Sequence, residues 1–208
     1  MPATSAVGCG SGVAWRLHCR VVRLEPLFDN DGISSRSRPN DGAFNLWGNT
    51  FPRESLPPGG EIVYVEGVPF LFPPSADGDL NNLRCRGQLV RLPRMVCDWI
   101  YVLGAAERRT EDELVLVHAD RGERRGWLRI SDFWAETPGR FGDVEAFRCD
   151  GLHYPRHVQR NMAPTIWSQR APVAERAPLV ALRLPDNPAI HLFALTLVRE
   201  PPTEERPA

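Results

Sequence analysis

The sequence predicts an all-β protein folded as a single antiparallel sandwich or barrel. Short apolar, β-branched runs recur about every ten residues from Trp15 to Val198, and each ends at Gly, Pro, Asn or Asp. No stretch has a convincing apolar period of about 3.6 residues, which an amphipathic helix would show. The 20 prolines and 17 glycines therefore indicate turns between well-formed strands. Such a scaffold places function in its loops or on one sheet face.

The charge balance excludes some partner classes. A formal net charge of −1 gives no electrostatic case for binding nucleic acid or an anionic membrane. All 25 basic residues are Arg, which fits a GC-rich genome, with an Arg-lined anion site as the alternative. The five Cys are odd in number and lack C-x-x-C spacing, which favours free thiols in a reducing cytoplasm. We see no secretory signal and no membrane-spanning run of roughly 20 apolar residues, so we expect a cytoplasmic protein.

The first strands follow from alternation and turn chemistry. Trp15, Leu17, Cys19 and Val21 alternate with polar residues and predict a half-buried strand. Residues 28–58 are too long for a mere connection and predict a functional or ion-holding loop. The Glu66-Gly67 pair predicts a hairpin turn between Ile62–Val65 and Val68–Phe72.

The rest of the chain continues as strands in one domain. Residues 134–150 read as irregular, and the last strand is apolar on both faces, which predicts a central position covered on both sides. We expect one sandwich domain over residues 13–200, with disordered ends at 1–12 and 201–208. The remaining predicted strands are Gln88–Leu92, Trp99–Leu103, Leu114–His118, Trp127–Ile130, His153–Val158, Thr165–Gln169, Leu179–Leu184 and Ile190–Val198.

An ordered series of short motifs carries a family resemblance. The series includes Leu27–Ser34, Gly67–Phe70, Tyr101–Ala106, Ser131–Trp134 and Leu184–Leu195. Their order resembles that of the galactose-binding-type jelly-roll domain appended to actinobacterial glycoside hydrolases, including α-mannosidase-like enzymes. The resemblance spans about residues 22–198. It implies a two-sheet antiparallel jelly-roll that binds glycans or supports a catalytic domain, without catalysis by the module itself.

Two segments depart from the pattern of that family. They are Asn45–Pro52 and Val117–Gly122. We include Asn49 and His118, one from each segment, among the predicted ligand contacts. The sequence shows no attached hydrolase and no export signal. We therefore expect that the scaffold was recruited for small-molecule work, for example in a biosynthetic pathway.

The densest group of proton-transferring side chains is His153-Tyr154-Pro155-Arg156-His157. On an extended strand, His153 and His157 would lie about 13 Å apart, too far to ligate one metal ion. Tyr154 and Arg156 are predicted to bind a ligand carboxylate or hydroxyl, with a histidine as acid or base. The alternative is a polar loop that caps the sandwich.

Aromatic and acidic residues predict sugar contacts. Asp132 beside Trp134 suits a sugar, because the carboxylate accepts hydroxyl protons and the indole offers a flat apolar face. The alternative role of Asp132 is to cap a turn. Trp47, in the long polar loop, and Trp167 complete the predicted aromatic contacts, whereas Trp99 and Trp127 are expected in the core.

Carboxylates in the loops are candidate ligands for a calcium ion. Asp29 and Asp31 are the candidate ligands for a structural Ca²⁺, although their spacing is not that of an EF-hand loop. The alternative is that these carboxylates cap their own backbone as Asx turns. No other cofactor is expected, and no nucleophile or nucleotide-binding motif is present. Glu111–Glu113 reads as a solvated loop.

Three functions remain open from the sequence. The leading one is a stand-alone sandwich that binds a carbohydrate or a glycosylated or polyol small molecule. The second is a cofactor-free biosynthetic enzyme, a cyclase or isomerase, in which Asp132, Tyr154 and His157 move protons at the mouth of the jelly-roll. The third is an interaction module for a partner enzyme. The oligomeric state is left open.

Overall fold

The computed structural model describes residues 17–134 and 138–201 and confirms the all-β prediction. Two single-turn 3₁₀ helices, Glu25–Leu27 and Arg53–Ser55, interrupt the strands. In chain order the strands are β1 His18–Val22, β2 Ile33–Ser34, β3 Phe51–Pro52, β4 Ile62–Val65, β5 Val68–Leu71, β6 Leu83–Arg84, β7 Leu89–Met95, β8 Trp99–Ala106, β9 Thr110–His118, β10 Gly122–Ile130, β11 Val144–Arg148, β12 Leu152–Tyr154, β13 His157–Gln159, β14 Thr165–Pro172, β15 Leu179–Arg183 and β16 Ile190–Arg199.

Two antiparallel sheets form the sandwich. One has the strand order β1-β16-β8-β14-β11, with β6 pairing on β16, and the other has the order β10-β9-β15-β7. The core between them is largely aliphatic, because the inward-facing positions of the strands carry Val, Ile and Leu. Representative members are Val90, Ile100, Leu116, Leu128, Leu182 and Leu195.

A third layer covers the other face of the six-stranded sheet. We call it the outer layer; it comprises residues 28–58 and the hairpins β4–β5 and β12–β13. Its core is aromatic, and Phe44 meets Phe51 edge-to-face at 5.1 Å between ring centroids. Phe51 in turn lies 5.8 Å from Phe193 on β16. The long loop is therefore a packed cover of the sheet.

The last strand has the predicted central position. β16 pairs with β1 on one side and with β8 on the other, and every residue from Ile190 to Val198 is buried. An irregularity in the β16–β8 register between Leu192 and Ala194 interrupts the regular alternation of side chains between the two sides of the sheet. Because both sides of the sheet are covered, the side chains of β16 pack into two different cores.

The first hairpin also forms as predicted. β4 and β5 pair antiparallel up to Val65 and Val68, and Glu66 and Gly67 have φ values of 47° and 80°. Two consecutive positive φ angles are the conformation of a tight type I′ hairpin turn. Gly67 supplies one of them without steric cost.

Three local predictions are corrected by the structure. The segment 153–158 is not one strand but parts of two, β12 and β13, because the chain turns at Pro155-Arg156. Glu111–Glu113 lies within β9, where carboxylates pair with arginines of β10, as in Glu113 with Arg125 at 3.0 Å. The stretch 134–150 contains β11.

The thiols are unpaired in the described part of the chain. Cys19, Cys85, Cys97 and Cys149 are free, and all but Cys19 are buried. Burial raises the pKa of Cys97 and of Cys149 to about 12, so these thiols are protonated and inert at neutral pH. Within residues 17–134 and 138–201, no helix is long and apolar enough to cross a membrane. Trp15, the predicted disordered segment 1–12 and all but the first residue of the predicted disordered segment 201–208 lie outside the described residues.

Candidate functional site

An open cleft forms where three loops meet at one end of the six-stranded sheet. Strand β8 ends at Ala106, whose carbonyl accepts the Phe133 N–H at 3.0 Å, and this pairing brings the 131–134 segment beside the β8–β9 turn. The 45–48 turn of the outer layer closes the third side. The cleft has a volume of about 410 Å³, and its walls include Leu46, Trp47, Glu107, Arg108, Asp132 and Trp134.

Trp47 is held outward by a tight turn. The buried Asn45 side chain accepts the N–H of Trp47 at 3.0 Å, and the Asn45 carbonyl accepts the Gly48 N–H at 2.9 Å. Gly48 has a φ of 69°, which glycine adopts at little cost. Trp47 is 73% exposed and Leu46 is 91% exposed. An indole fixed in water by its own backbone turn is available for a ligand, as the sequence predicted for Trp47.

Asp132 caps a turn, which is one of its two predicted roles, and contact with a sugar stays a prediction. One carboxylate oxygen accepts the Trp134 N–H at 2.9 Å and so caps the turn, while the side chain lines the cleft. Burial raises the pKa of Asp132, and backbone hydrogen bonds from Trp134 and Arg108 oppose that rise. The Arg108 charge also opposes it. Asp132 is therefore a cleft carboxylate whose environment favours the protonated form more than water does.

Arg108 and Glu107 occupy the turn after β8. Arg108 has a φ of 79°, a left-handed conformation that non-glycine residues seldom adopt. The Glu107 N–H donates to the Ala189 carbonyl at 2.8 Å, which ties the turn to the start of β16. Backbone strain of this kind recurs where a side chain must be aimed at a ligand. Here it places a cation beside the carboxylates of Glu107 and Asp132.

Behind Glu107 lies a fully buried histidine that sequence reasoning missed as a site residue. The Nδ1 of His191 lies 2.9 Å from Asn82 Oδ1. The Asn82 amide nitrogen donates to the Asn81 side chain at 2.9 Å, so Oδ1 is the acceptor and His191 Nδ1 carries a hydrogen. The other ring nitrogen, Nε2, faces the Glu107 carboxylate at 3.5 Å.

The contact between His191 and Glu107 depends on the protonation of the imidazole. Burial lowers the pKa of His191, although the nearby Glu107 carboxylate opposes that shift. A neutral His191 with its hydrogen on Nδ1 presents a lone pair at Nε2, and this nitrogen can accept a hydrogen bond but cannot donate one to the carboxylate. The sequence signal for this pair is a histidine within a strand that is otherwise almost entirely apolar.

The predicted residues of the β12–β13 hairpin lie outside this cleft. The rings of Tyr154 and His157 stack on each other at 4.7 Å between centroids, and Arg156 is exposed at the turn. The structure corrects the expectation that Tyr154, Arg156 and His157 join Asp132 in one site, because none of them lines its cleft. The reason is the turn at Pro155-Arg156, which folds the segment back on itself.

Three further predicted ligand contacts are buried. Trp167 is 4% exposed and its indole donates to the Asp132 carbonyl at 2.8 Å, so it supports the cleft from behind. Asn49 and His153 are each 1% exposed. This corrects the expectation that Trp167 and Asn49 contact a ligand. His153 borders a different pocket, which lies at the β12–β13 hairpin.

His118 lies in a separate groove beside the edge of the four-stranded sheet. It shares that groove with Arg124, Arg170 and Trp127. Trp127 is 55% exposed, which corrects its expected place in the core, because it points to the outer side of the edge strand β10. The ring of Trp99 is half-buried, with the Arg170 guanidinium 4.2 Å from its centroid.

The two candidate calcium ligands have other partners. Asp29 accepts the Arg84 N–H at 2.9 Å, and Asp31 accepts the Asn81 side-chain amide at 2.7 Å. In the part of the chain that the structure describes, no group of three or more His, Cys, Asp or Glu side chains could hold a metal ion. These carboxylates fix the outer layer to the β6 region, and a calcium site stays a prediction.

Comparison with known proteins identifies the family. A family model described as the AziU2-like beta-sandwich domain matches residues 18–201, which cover nearly all of the described structure. The chain belongs to this family, and the match confirms the sandwich. A search of curated proteins finds no match.

Proposed function

We propose that this member of the AziU2-like family binds a carbohydrate, or a glycosylated or polyol small molecule, in the cleft beside Trp47. The observation that carries the proposal is an exposed indole fixed next to two carboxylates and a guanidinium, those of Glu107, Asp132 and Arg108. Flat aromatic faces hold the apolar faces of sugar rings, and carboxylates accept hydroxyl protons. The resemblance to galactose-binding-type jelly-roll domains supports the same class of ligand.

The size of the cleft limits the ligand. Its volume of about 410 Å³ lies near the lower end of ligand pockets, which suits one or two sugar rings rather than a long polymer. One wall is apolar and exposed, at Leu46 and Trp47, and the facing side chains are charged. A ligand with one apolar face and one hydroxyl-rich face matches this asymmetry.

A glycan array and a melting-temperature screen with galactose and mannose test the binding proposal. We expect a hit whose affinity falls about tenfold or more in Trp47→Ala, because the stacking face is removed. Trp127→Ala is the matched control, since Trp127 is also an exposed indole but lies outside the cleft. The absence of any hit, or an equal loss in both variants, would contradict the proposal.

A second candidate function is a cofactor-free acid–base enzyme at the same cleft. Its specific support is the Glu107–His191 contact together with Asp132, since two carboxylates in unlike environments suit opposite proton-transfer roles. In this function Glu107 accepts a proton from the ligand, and the Nε2 lone pair of neutral His191 accepts a hydrogen bond from the carboxyl group that results.

Mass spectrometry of small-molecule extracts from the native host, incubated with the purified protein, tests for turnover. We expect Glu107→Gln to lower the rate by about a hundredfold or more, since the amide cannot exchange a proton as a carboxyl group does. Trp47→Ala should mainly raise KM. Binding without turnover would support only the binding function. Turnover that survives Glu107→Gln would contradict the acid–base function.

A further inference from the structure

A second, smaller pocket lies under the β12–β13 hairpin, away from the cleft. It has a volume of about 210 Å³, and its walls include Arg36, Asp150, His153 and Arg160. The hairpin is fixed there because His153 and Thr50 exchange two backbone hydrogen bonds of 3.1 Å. This exchange joins β12 to the end of the long loop and brings side chains from three segments together.

His153 is linked to two buried hydroxyl groups. Its Nδ1 lies 2.9 Å from Ser34 Oγ, which lies 2.5 Å from Thr50 Oγ1, and all three residues are buried. If Nδ1 donates to Ser34, Ser34 donates to Thr50, and the Thr50 hydroxyl has no acceptor among the described residues. In the opposite direction, from Thr50 to Ser34 to Nδ1, both hydroxyls are satisfied, and the unmet donor is the hydrogen on Nε2. Only an acceptor placed at Nε2 therefore satisfies the whole network.

The Nε2 atom of His153 is buried and has no hydrogen-bond partner among residues 17–134 and 138–201. Leaving a buried donor unmet costs about 1 to 3 kcal/mol, so native proteins rarely do so without a ligand or water. Burial also lowers the pKa of His153, which favours the neutral ring.

Two arginines add further donors at the same pocket. The guanidinium groups of Arg36 and Arg160 have no hydrogen bond or ion pair with any described residue, and both side chains border the pocket. Two nearby carboxylates offset part of this positive charge, since the Arg36 and Arg160 charges both lower the pKa of Asp150, but each carboxylate already accepts a hydrogen bond. Asp150 accepts from the Ser55 hydroxyl at 2.6 Å, and Glu54 accepts the Arg36 N–H at 2.9 Å. The pocket thus offers unmet N–H donors from three residues.

We propose that this pocket binds a small oxyanion, a carboxylate or phosphate group, with His153 Nε2–H donating to one oxygen and Arg36 and Arg160 flanking the others. A planar or tetrahedral oxyanion fits within the 210 Å³ space, and its several oxygens can accept from donors on different walls. The site is independent of the sugar cleft. The same hairpin touches the Trp47 turn, since a Cβ on Gly48 would lie 2.8 Å from Pro155.

Nuclear magnetic resonance of the ¹⁵N-labelled imidazole rings reports the tautomer of His153 with and without an anion. Inorganic phosphate and acetate are titrated separately at constant ionic strength. At least one of them should shift the His153 resonance, give the neutral Nε2–H form at neutral pH and raise Tm. A response to acetate alone assigns a carboxylate ligand, and a response to phosphate alone assigns a phosphate ligand.

Variants distinguish anion binding at this pocket from a general effect of positive charge on the protein surface. Arg36→Gln and Arg160→Gln should each weaken anion binding about tenfold. Arg94→Gln is the matched control, because Arg94 is an exposed arginine outside the pocket, and it should bind as the wild type does. The proposal is overturned by an Nδ1–H tautomer in the anion-bound protein, by no response to either anion, or by equal weakening in Arg94→Gln.

Discussion

The two faces of the six-stranded sheet support two different kinds of core. The face toward the four-stranded sheet packs aliphatic side chains such as Ile100, Leu182 and Leu195 from regular strands. The face toward the outer layer packs phenylalanines, among them Phe44 and Phe51, mostly from loops. The first core is the structural frame of the sandwich. The second holds irregular backbone, and irregular backbone needs polar partners.

Buried polar networks follow the same division. Asn82 links Asn30 of the outer layer to His191, and Ser34 and Thr50 form the network that ends at His153. The Nε2 atom of His191 faces the Glu107 carboxylate of the cleft, and the Nε2 atom of His153 has no hydrogen-bond partner among the described residues. Both cores therefore supply stability, and the second also positions polar groups beside the cleft and the pocket.

The largest effect that tests this division is a pair of core truncations. Leu195→Ala removes a side chain between the sheets and should lower the free energy of unfolding by about 3 kcal/mol. Phe44→Ala should cost about 4 kcal/mol, because the ring packs on Phe51 and lies 4.0 Å from the His191 ring. Urea unfolding measures both costs.

Hydrogen exchange then separates the two variants. Phe44→Ala should speed amide exchange mainly in the outer layer, at residues 28–58, whereas Leu195→Ala should speed it across both sheets. Ligand binding in the Trp47 cleft should weaken in Phe44→Ala and persist in Leu195→Ala at temperatures where both are folded. Identical exchange patterns in the two variants would show that the two cores unfold as one unit.

The sequence predicts the first core far better than the second. Alternation predicted the strands of the two sheets, and the double apolar face of Ile190–Val198 predicted the covered centre. In the outer layer, the Glu66-Gly67 turn predicted the β4–β5 hairpin. The rest of that layer could not be derived in this way, because its loops are held by pairings between distant residues, such as Thr50 with His153. Trp47 and Asp132 were found from local chemistry. Glu107 was missed because its partner, His191, is 84 residues away along the chain.

The pH dependence of stability is the second test. Burial lowers the pKa of His191 below its ordinary value of 6.5, despite opposition from Glu107 and Asp29 and with help from Arg84. The unfolded chain therefore takes up a proton near pH 6.5, whereas the folded protein does so only at lower pH. The stabilisation by neutral His191 is complete above pH 6.5 and is lost as the pH falls toward the folded pKa. His153 contributes with the same sign.

Urea unfolding at about pH 7.5 and about pH 5.5 measures this effect. His191→Gln should cost more at the higher pH, and the cost should shrink by up to about 1.4 kcal/mol per pH unit on acidification. Leu195→Ala is the control from the other core, and its cost should be the same at both pH values because it removes no titrating group. A pH-independent cost for His191→Gln would contradict the assignment of a neutral buried ring.

The smallest effect concerns the turn that links the Trp47 cleft to the anion pocket. Gly48→Ala places a Cβ at a φ of 69° and 2.8 Å from Pro155, so it should cost about 1 to 2 kcal/mol and move the Trp47 turn. Gly60→Ala is the matched control, because Gly60 has a φ of 80° and nothing within 4 Å of the added Cβ. Gly60→Ala should therefore lower the free energy of unfolding only through its unfavourable backbone conformation. A change of Trp fluorescence in Gly48→Ala, absent in Gly60→Ala, would show that the hairpin positions Trp47. Equal behaviour of the two variants would mean that the cleft and the pocket are mechanically separate.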